Sequence, residues 1–359
     1  MQPAASSPVM NPEWRTLLEH SGAVFEAGHV KHFGNPEREL RATAQGDVLV
    51  ELSPLSVLRA QGDDAQSFLQ GQFSNDIRQV TGTRSQLSAY CNPKGRMLAI
   101  LRVFRIGETY CLQLPGALAE ATLKRLRMFV MRAKVKIELA DPELLRIGLS
   151  GPNVEGLIVA ALGTVPAGVD DCLSVDGVTV LRLPGPHARF ELLASPEKML
   201  ALWPQFATRV TPAGATAWAW LDIMAGIPNV LPGTVEEFVP QMTNLDLVGG
   251  VSFTKGCYPG QEIVARMHYL GRLKQRMFLA HAAITEPPLP GTPVFASGLS
   301  EQSTGNVLDA QRSPEGGCDL LAVVHLSSRG AGVLHLGNND GVRIDLKDLP
   351  YSLDHPPTA

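Results

Sequence analysis

One cysteine stands in a setting that activates sulfur. Cys257 lies in the run Lys255-Gly256-Cys257-Tyr258-Pro259-Gly260-Gln261-Glu262, two residues after a lysine and inside a glycine-bracketed turn. Pro259 suits the first position of a helix, where a missing N–H costs nothing. A helix carrying Gln261, Glu262 and Arg266 is therefore predicted to follow. A thiol just ahead of a helix start and beside a cation is shifted toward the thiolate, the form that attacks electrophiles and binds metals. Cys257 is the candidate functional thiol. Lys255 either tunes it, holds an anion or is an ordinary surface lysine. Gly256 and Gly260 read as backbone devices for positive dihedrals or close approach. Glu262 can serve the helix dipole, Gln261 can cap the turn, and Arg266 is placed for an i,i+4 ion pair with Glu262. Asn244, at the head of the segment, is a natural turn former with a possible ligand role.

The rest of the chain limits what such a thiol can do. The 359 residues are 45% hydrophobic and 18% charged with a net charge of -4, which fits a soluble protein of two or three domains. The charge gives no general pull toward nucleic acid or membrane. No apolar run is long enough to span a bilayer and the N-terminus does not read as a signal peptide, so a cytoplasmic location is expected. The five cysteines are scattered with no C-x-x-C pair, which points to reduced thiols and away from a disulfide framework, a zinc site or a resident cluster. No metal ligand set is expected.

The elements that must position Cys257 follow from periodicity. Residues 1–40 are rich in Pro, Ser, Gly and charges and read as a tail packed loosely on the body. The pattern from Gly46 to Gly62 is β-like, and Ala65 to Gln70 is a short helix ended by Gly71. Strands are predicted over Leu87–Tyr90 and Met97–Arg105, joined by the turn Asn92-Pro93-Lys94-Gly95. A helix over Leu114–Met131 and a strand over Ala133–Leu139 complete this part. The next part alternates strand Leu144–Leu149, helix Val154–Leu162, strands Val178–Leu183 and Arg189–Leu193, and a helix from Pro196 to Phe206. Gly214–Ile227 is a helix carrying Trp218 and Trp220, which point to different faces; one can line a ligand pocket. Five short alternating segments between Met277 and Leu346 read as a small β-barrel. The run Lys124–Lys136 holds six basic residues and no acid, and reads as a solvated face or as an anion-attracting patch. The fold class is α+β, with strands and helices in sandwich order and not a Rossmann sheet.

Three segments carry a resemblance: GDDAQSFLQGQFSNDI at 62–77, AYCNPKGRM at 89–97 and FVPQMTNLDLVGGVSFTKGCYPGQEIVAR at 238–266. With them the chain resembles the YgfZ-like folate-binding proteins, which are similar in fold to the glycine cleavage T-protein, an aminomethyltransferase. The resemblance covers residues from about 45 to the end. It implies a three-domain, T-protein-like ring with ferredoxin-like units and a C-terminal β-barrel. The domains are then a folate-binding unit over 41–139 plus 221–275, a second α+β unit over 140–220 and the barrel over 276–359. It implies a bound tetrahydrofolate or other folate. The role it implies is help in iron–sulfur cluster assembly or repair, with client proteins that include radical tRNA-modifying enzymes.

Carried over residue by residue, Cys257 is the functional thiol and Trp218 the indole at the folate. Leu55 takes the place of a second pocket aromatic, and Met224 stands where the wider family has a carboxylate. Tyr90, Lys94, Arg96, Asn244, Tyr258, Gln261, Glu262 and Arg266 complete the candidate folate set. T-proteins carry an acidic pair in the turn after the position of Tyr90; here it reads Pro93-Lys94-Gly95-Arg96, which suits a folate glutamate tail but not a role that needs an anion. A non-enzymatic accessory protein is expected. A folate-dependent one-carbon (aminomethyl) transferase and a tRNA-binding module are the alternatives. A monomer without a direct nucleic-acid or membrane partner is expected.

Overall fold

The computed structural model describes residues 10–141, 143–271, 273–298, 301–329 and 332–353. Pro142, Arg272 and the last six residues of the expected C-terminal tail lie outside the described residues. The chain divides into two compact units. The first comprises the chain up to Ala65, Gln79–Ser85 and Arg102–Leu221; the second comprises Gln66–Arg78, Gln86–Leu101 and the chain from Asp222 onward. The segment 41–139 thus contributes to both.

The first unit is built on a six-stranded sheet in the order Cys172–Val175, Val178–Leu183, Arg189–Ala194, Leu145–Ser150, Val48–Glu51 and Thr211–Ala213. Its side chains alternate with the period of two that a strand imposes. Leu145, Ile147 and Leu149, opposite Ala194, Leu192 and Phe190, share one face. That face packs under the helices Pro12–His20, Val154–Leu162 and Pro196–Ala207, with Trp14, Leu18, Ile158, Met199, Trp203 and Phe206 in the same core. The other face carries Arg146, Gly148, Ser150, Arg189 and Glu191 in the same register. These residues are charged or small, and the charged ones are buried.

Two expectations change here. Residues 12–40 are not a loose tail. The Asn11 side chain caps the first helix, accepting from the Glu13 and Trp14 N–H groups at 3.0 and 3.1 Å. Trp14 and Leu18 are fully buried, and the Trp14 ring meets Trp203 edge-on at 5.3 Å. Burying such side chains is worth about 1.5–3 kcal/mol each, but a stripe of one Trp and one Leu in a Pro- and Ser-rich stretch gives little periodicity. The β-like run from Gly46 to Gly62 is two strands, Val48–Glu51 and Leu55–Gln61, in two different sheets. Pro54, which has no N–H to give a ladder, falls at the break. The second sheet of this unit joins Arg102–Ile106 to Thr109–Pro115, then to Leu55–Gln61 and Lys136–Leu139, with the helix Gly116–Val130 packed against it.

The second unit contains a closed six-stranded barrel in the order Gln275–Ala282, Cys318–His325, Gly305–Arg312, Pro293–Ala296, Leu334–Leu336 and Arg343–Lys347. Five of these strands match the expected segments. The sixth, Leu334–Leu336, is too short to alternate visibly. Phe278, Val294, Val307, Leu320 and Val324 fill the interior. Closure leaves no free edge. The same unit holds the strand Gln86–Cys91, the turn after it, and the Cys257 segment with its helix Gln261–Tyr269. No described helix is long and apolar enough to cross a membrane.

Candidate functional site

All five cysteines are free, and four are buried: Cys91, Cys111, Cys172 and Cys318. Burial pushes the thiols of Cys91 and Cys111 up to about 12 and that of Cys172 to about 11, so they stay protonated and inert. Cys257 is exposed. The accessible thiol is therefore the one the sequence singles out.

Lys255 does something other than sit beside that thiol. Its side chain is buried, and its ammonium donates to the carbonyls of Gln70 at 2.6 Å, Asn75 at 3.0 Å and Phe73. An ammonium has three protons, and these contacts use all of them. The acceptors lie at and just past the end of the helix Ala65–Gln70, where unsatisfied carbonyls gather and a cation is favoured. Burial lowers the amine to about 8. The Tyr258 ring lies 5.1 Å from the nitrogen and is itself buried. Lys255 thus clamps the Cys257 turn to the 70–75 loop.

The opposite side of the turn rests on glycines. The helix begins at Gln261, two residues later than Pro259 suggests, and Gly260 caps it with a φ of 82°. A Cβ at Gly260 would lie 2.5 Å from the Asn92 carbonyl and 2.6 Å from the Gly95 Cα. Gly95, with a φ of 71°, faces Ile263 in turn. The two motif turns therefore meet backbone to backbone, which only glycine permits. Gly256 has open space around it and no positive φ. Asn92 shapes its own turn: its side-chain oxygen accepts from the N–H groups of Lys94 at 2.9 Å and Arg96 at 3.0 Å, and its amide donates to Glu236 at 2.8 Å.

The remaining candidates separate into two groups. Tyr90 and Tyr258 are buried, and Tyr90 packs edge-on to Phe73 at 5.7 Å. Asn244 is fully buried in a left-handed conformation and donates to the Met277 carbonyl at 2.8 Å, pinning the lead-in of the segment to a barrel strand. Beside it Asp246 pairs bidentately with Arg276 at 2.6 and 3.0 Å. Arg96 donates to the Glu237 carbonyl, and Gln261 reaches the Lys255 carbonyl at 3.4 Å. Lys94, Glu262 and Arg266 are exposed. Among the described residues no ion pair joins Glu262 to Arg266, and Lys94 has no partner carboxylate. Among these residues, too, no group of three His, Cys, Asp or Glu side chains could hold a metal ion.

Trp218 and Leu55 belong to the first unit. Leu55 is half-buried at the start of its strand, opposite Pro115. Trp218 and Trp220 are both buried. The Trp218 indole lies over Gly148, where a Cβ would come within 2.3 Å of the ring, and the Arg189 guanidinium sits 3.9 Å from its centroid. Trp218 is thus packed against the Gly148 backbone with the Arg189 guanidinium over its ring. Glu191 stands opposite Gly148 in the register and so shares this side of the sheet. Gln113 donates to the Glu191 carboxylate. Burial pushes that carboxyl up to about 7 against the opposing pull of Arg146, Arg102 and Arg189. Sequence reasoning missed Arg146, Arg189, Glu191 and Gln113. The available signal was a charged residue at alternate positions of strands that otherwise read as core.

A buried carboxylate can accept from the N–H-rich edge of a flat heterocycle, an amide can do the same or donate, and a guanidinium can donate to its carbonyl and ring nitrogens. On that chemistry the residues are compatible with a pterin ring.

Comparison with known proteins agrees with this architecture. The GCVT N-terminal domain family matches residues 19–170. The tRNA-modifying protein YgfZ of Pectobacterium carotovorum is 31% identical over 314 residues, 87% of this chain and 94% of the relative. That of Colwellia psychrerythraea is 29% identical over 307 residues, 85% and 93% of the two chains. The glycine cleavage system aminomethyltransferase T from Bartonella henselae superposes with a TM-score of 0.77 over 96% of this chain and 98% of that one, at 15% identity, a likeness of fold. A relative matched over nearly its full length, a shared fold and an exposed cysteine on a glycine-locked turn converge: this chain belongs to the YgfZ family.

Proposed function

We propose that this chain is a folate-binding accessory protein whose Cys257 thiol acts in iron–sulfur cluster assembly or repair, and that it thereby supports tRNA-modifying enzymes. The observation that carries the reading is the contrast between one exposed cysteine on a rigid turn and four buried ones. A fixed, accessible thiolate can take sulfane sulfur from a donor persulfide, releasing the donor as a thiol, exchange with a client disulfide, releasing one client sulfur as a thiol, or ligate iron after losing its proton, because thiolates are both good nucleophiles and soft ligands. Tetrahydrofolate, when bound, supplies a one-carbon acceptor. The proposed residues for its pterin edge are Glu191 and Gln113, with Trp218 nearby. The aminomethyl-transfer alternative needs an acid in the turn after Tyr90, and that turn offers Lys94 and Arg96.

The test is Cys257→Ser in a strain lacking its own family member. The variant is expected to fold, to bind tetrahydrofolate as the wild type does in a fluorescence titration, and to fail in complementation. Full rescue by this variant would remove the thiol from the function. No folate binding by the wild type would remove the folate.

A further inference from the structure

We propose that the outward face of the helix Gln261–Tyr269 is a docking surface for single-stranded RNA. This rests on the tRNA-modification reading above and departs from the sequence expectation of no direct nucleic-acid contact. The helix buries Val264 and leaves most of its surface in solvent. A helix that served only the fold would bury a wider apolar stripe. Its large exposed side chains are Ile263, Arg266 and the two rings of His268 and Tyr269. The His268 ring stacks on Phe253 with centroids 3.7 Å apart and planes at 12°. Tyr269 meets His268 edge-on at 4.7 Å and 80°. Tyr269 is 64% exposed and the adjoining Leu270 84%. Three rings are thus assembled in advance, with His268 and Tyr269 turned outward.

Charge selects the occupant. Arg266 lies one helical turn before Tyr269 on the same flank. It is exposed, and among the described residues no carboxylate pairs with it, its i,i+4 neighbour Glu262 included. An exposed guanidinium beside open rings matches a nucleotide, whose base offers a π-face and whose phosphate offers the counter-charge. A groove for an apolar peptide would need a continuous apolar lining instead. The rings do not select a particular base, since every base can stack.

The experiment is fluorescence anisotropy of a fluorescein-labelled, 12-nucleotide single-stranded RNA of mixed sequence with the full chain, over a salt series. Wild type is expected to bind, with log Kd rising with log salt by about 0.7 per phosphate engaged. Tyr269→Ala and His268→Ala are each expected to weaken binding roughly 5- to 160-fold, the range for loss of one stacked base, with an unchanged melting midpoint. Tyr269→Trp, which keeps a π-face, is expected to retain binding. Cys257→Ser is expected to bind RNA like wild type, so failure of the thiol reading and failure of this one are separable. The proposal is overturned if wild type does not bind at low salt, or if binding survives Tyr269→Ala and follows charge alone. It is also overturned if Tyr269→Ala abolishes complementation with RNA binding intact, which would assign this face to a protein partner.

Discussion

Lys255→Met separates a clamp from a thiolate tuner. The wild-type ammonium donates to three carbonyls, of Gln70, Phe73 and Asn75. Hydrogen bonds to a charged group are worth about 1.5–3 kcal/mol each, and a carbonyl left unpaired in the interior costs about 1–3 kcal/mol. Burying the ammonium opposes this, as the lowering of the amine to about 8 records. Removing the charge recovers part of that cost, so the net loss is estimated at about 3 kcal/mol. With a urea dependence of about 3 kcal/mol per molar, the unfolding midpoint is expected to fall by about 1 M. Lys255→Arg is not expected to rescue it, because a planar fork does not match three acceptors converging on one nitrogen. The pH dependence carries a second signature. The folded-state amine sits below its unfolded value, so between about 8 and 10.5 the unfolded chain holds the proton and the folded chain does not. Wild-type stability should therefore rise with pH across that window, and the rise should vanish in Lys255→Met. The decisive control is the alkylation rate of Cys257 against pH, measured on folded protein. An unchanged urea midpoint together with a raised thiol pKa would refute the clamp and restore Lys255 as the tuner of the thiolate.

The other predictions concern the glycine contact and the buried carboxylate. Gly260→Ala forces a side chain into a left-handed conformation, about 1–2 kcal/mol, and drives its Cβ to within 2.5 Å of the Asn92 carbonyl; a total loss of about 3 kcal/mol is expected in urea unfolding. Gly256→Ala, in open space three residues from Tyr258's neighbour Pro259, is expected to stay within about 0.5 kcal/mol of wild type, and equal losses in the two variants would contradict the packing described. Glu191 has its folded carboxyl raised to about 7, so its contribution to stability is fully present below pH 4.5 and is lost as pH rises through 7, by roughly 3 kcal/mol. Glu191→Gln should flatten the stability profile between pH 4.5 and 7 and weaken tetrahydrofolate binding roughly 10-fold or more; a variant with wild-type folate affinity would exclude Glu191 from the pterin.

What was legible in the sequence was whatever local chemistry imposes. The Asn92-Pro93-Lys94-Gly95 turn, the barrel strands and the exposed Cys257 were all readable, because turn residues, period-two alternation and a lone thiol in a glycine-rich run act within a few positions of themselves. The partners of those residues were not. Trp14 and Leu18 look like part of a tail until Trp203, far along the chain, covers them. Lys255 reads as a neighbour of Cys257 because the two are adjacent in sequence, yet its amine turns to carbonyls about 180 positions away. Arg189 looks like a flaw in a core strand until Gly148 makes room for the Trp218 indole beneath its guanidinium, and Glu191 until Gln113 donates to it. The sequence by itself singled out Cys257 as the candidate thiol and marked the glycines around it. Only the tertiary structure decided what each charge is for, because a buried charge is defined by the partner that desolvates or neutralises it, and long-range folding chooses that partner.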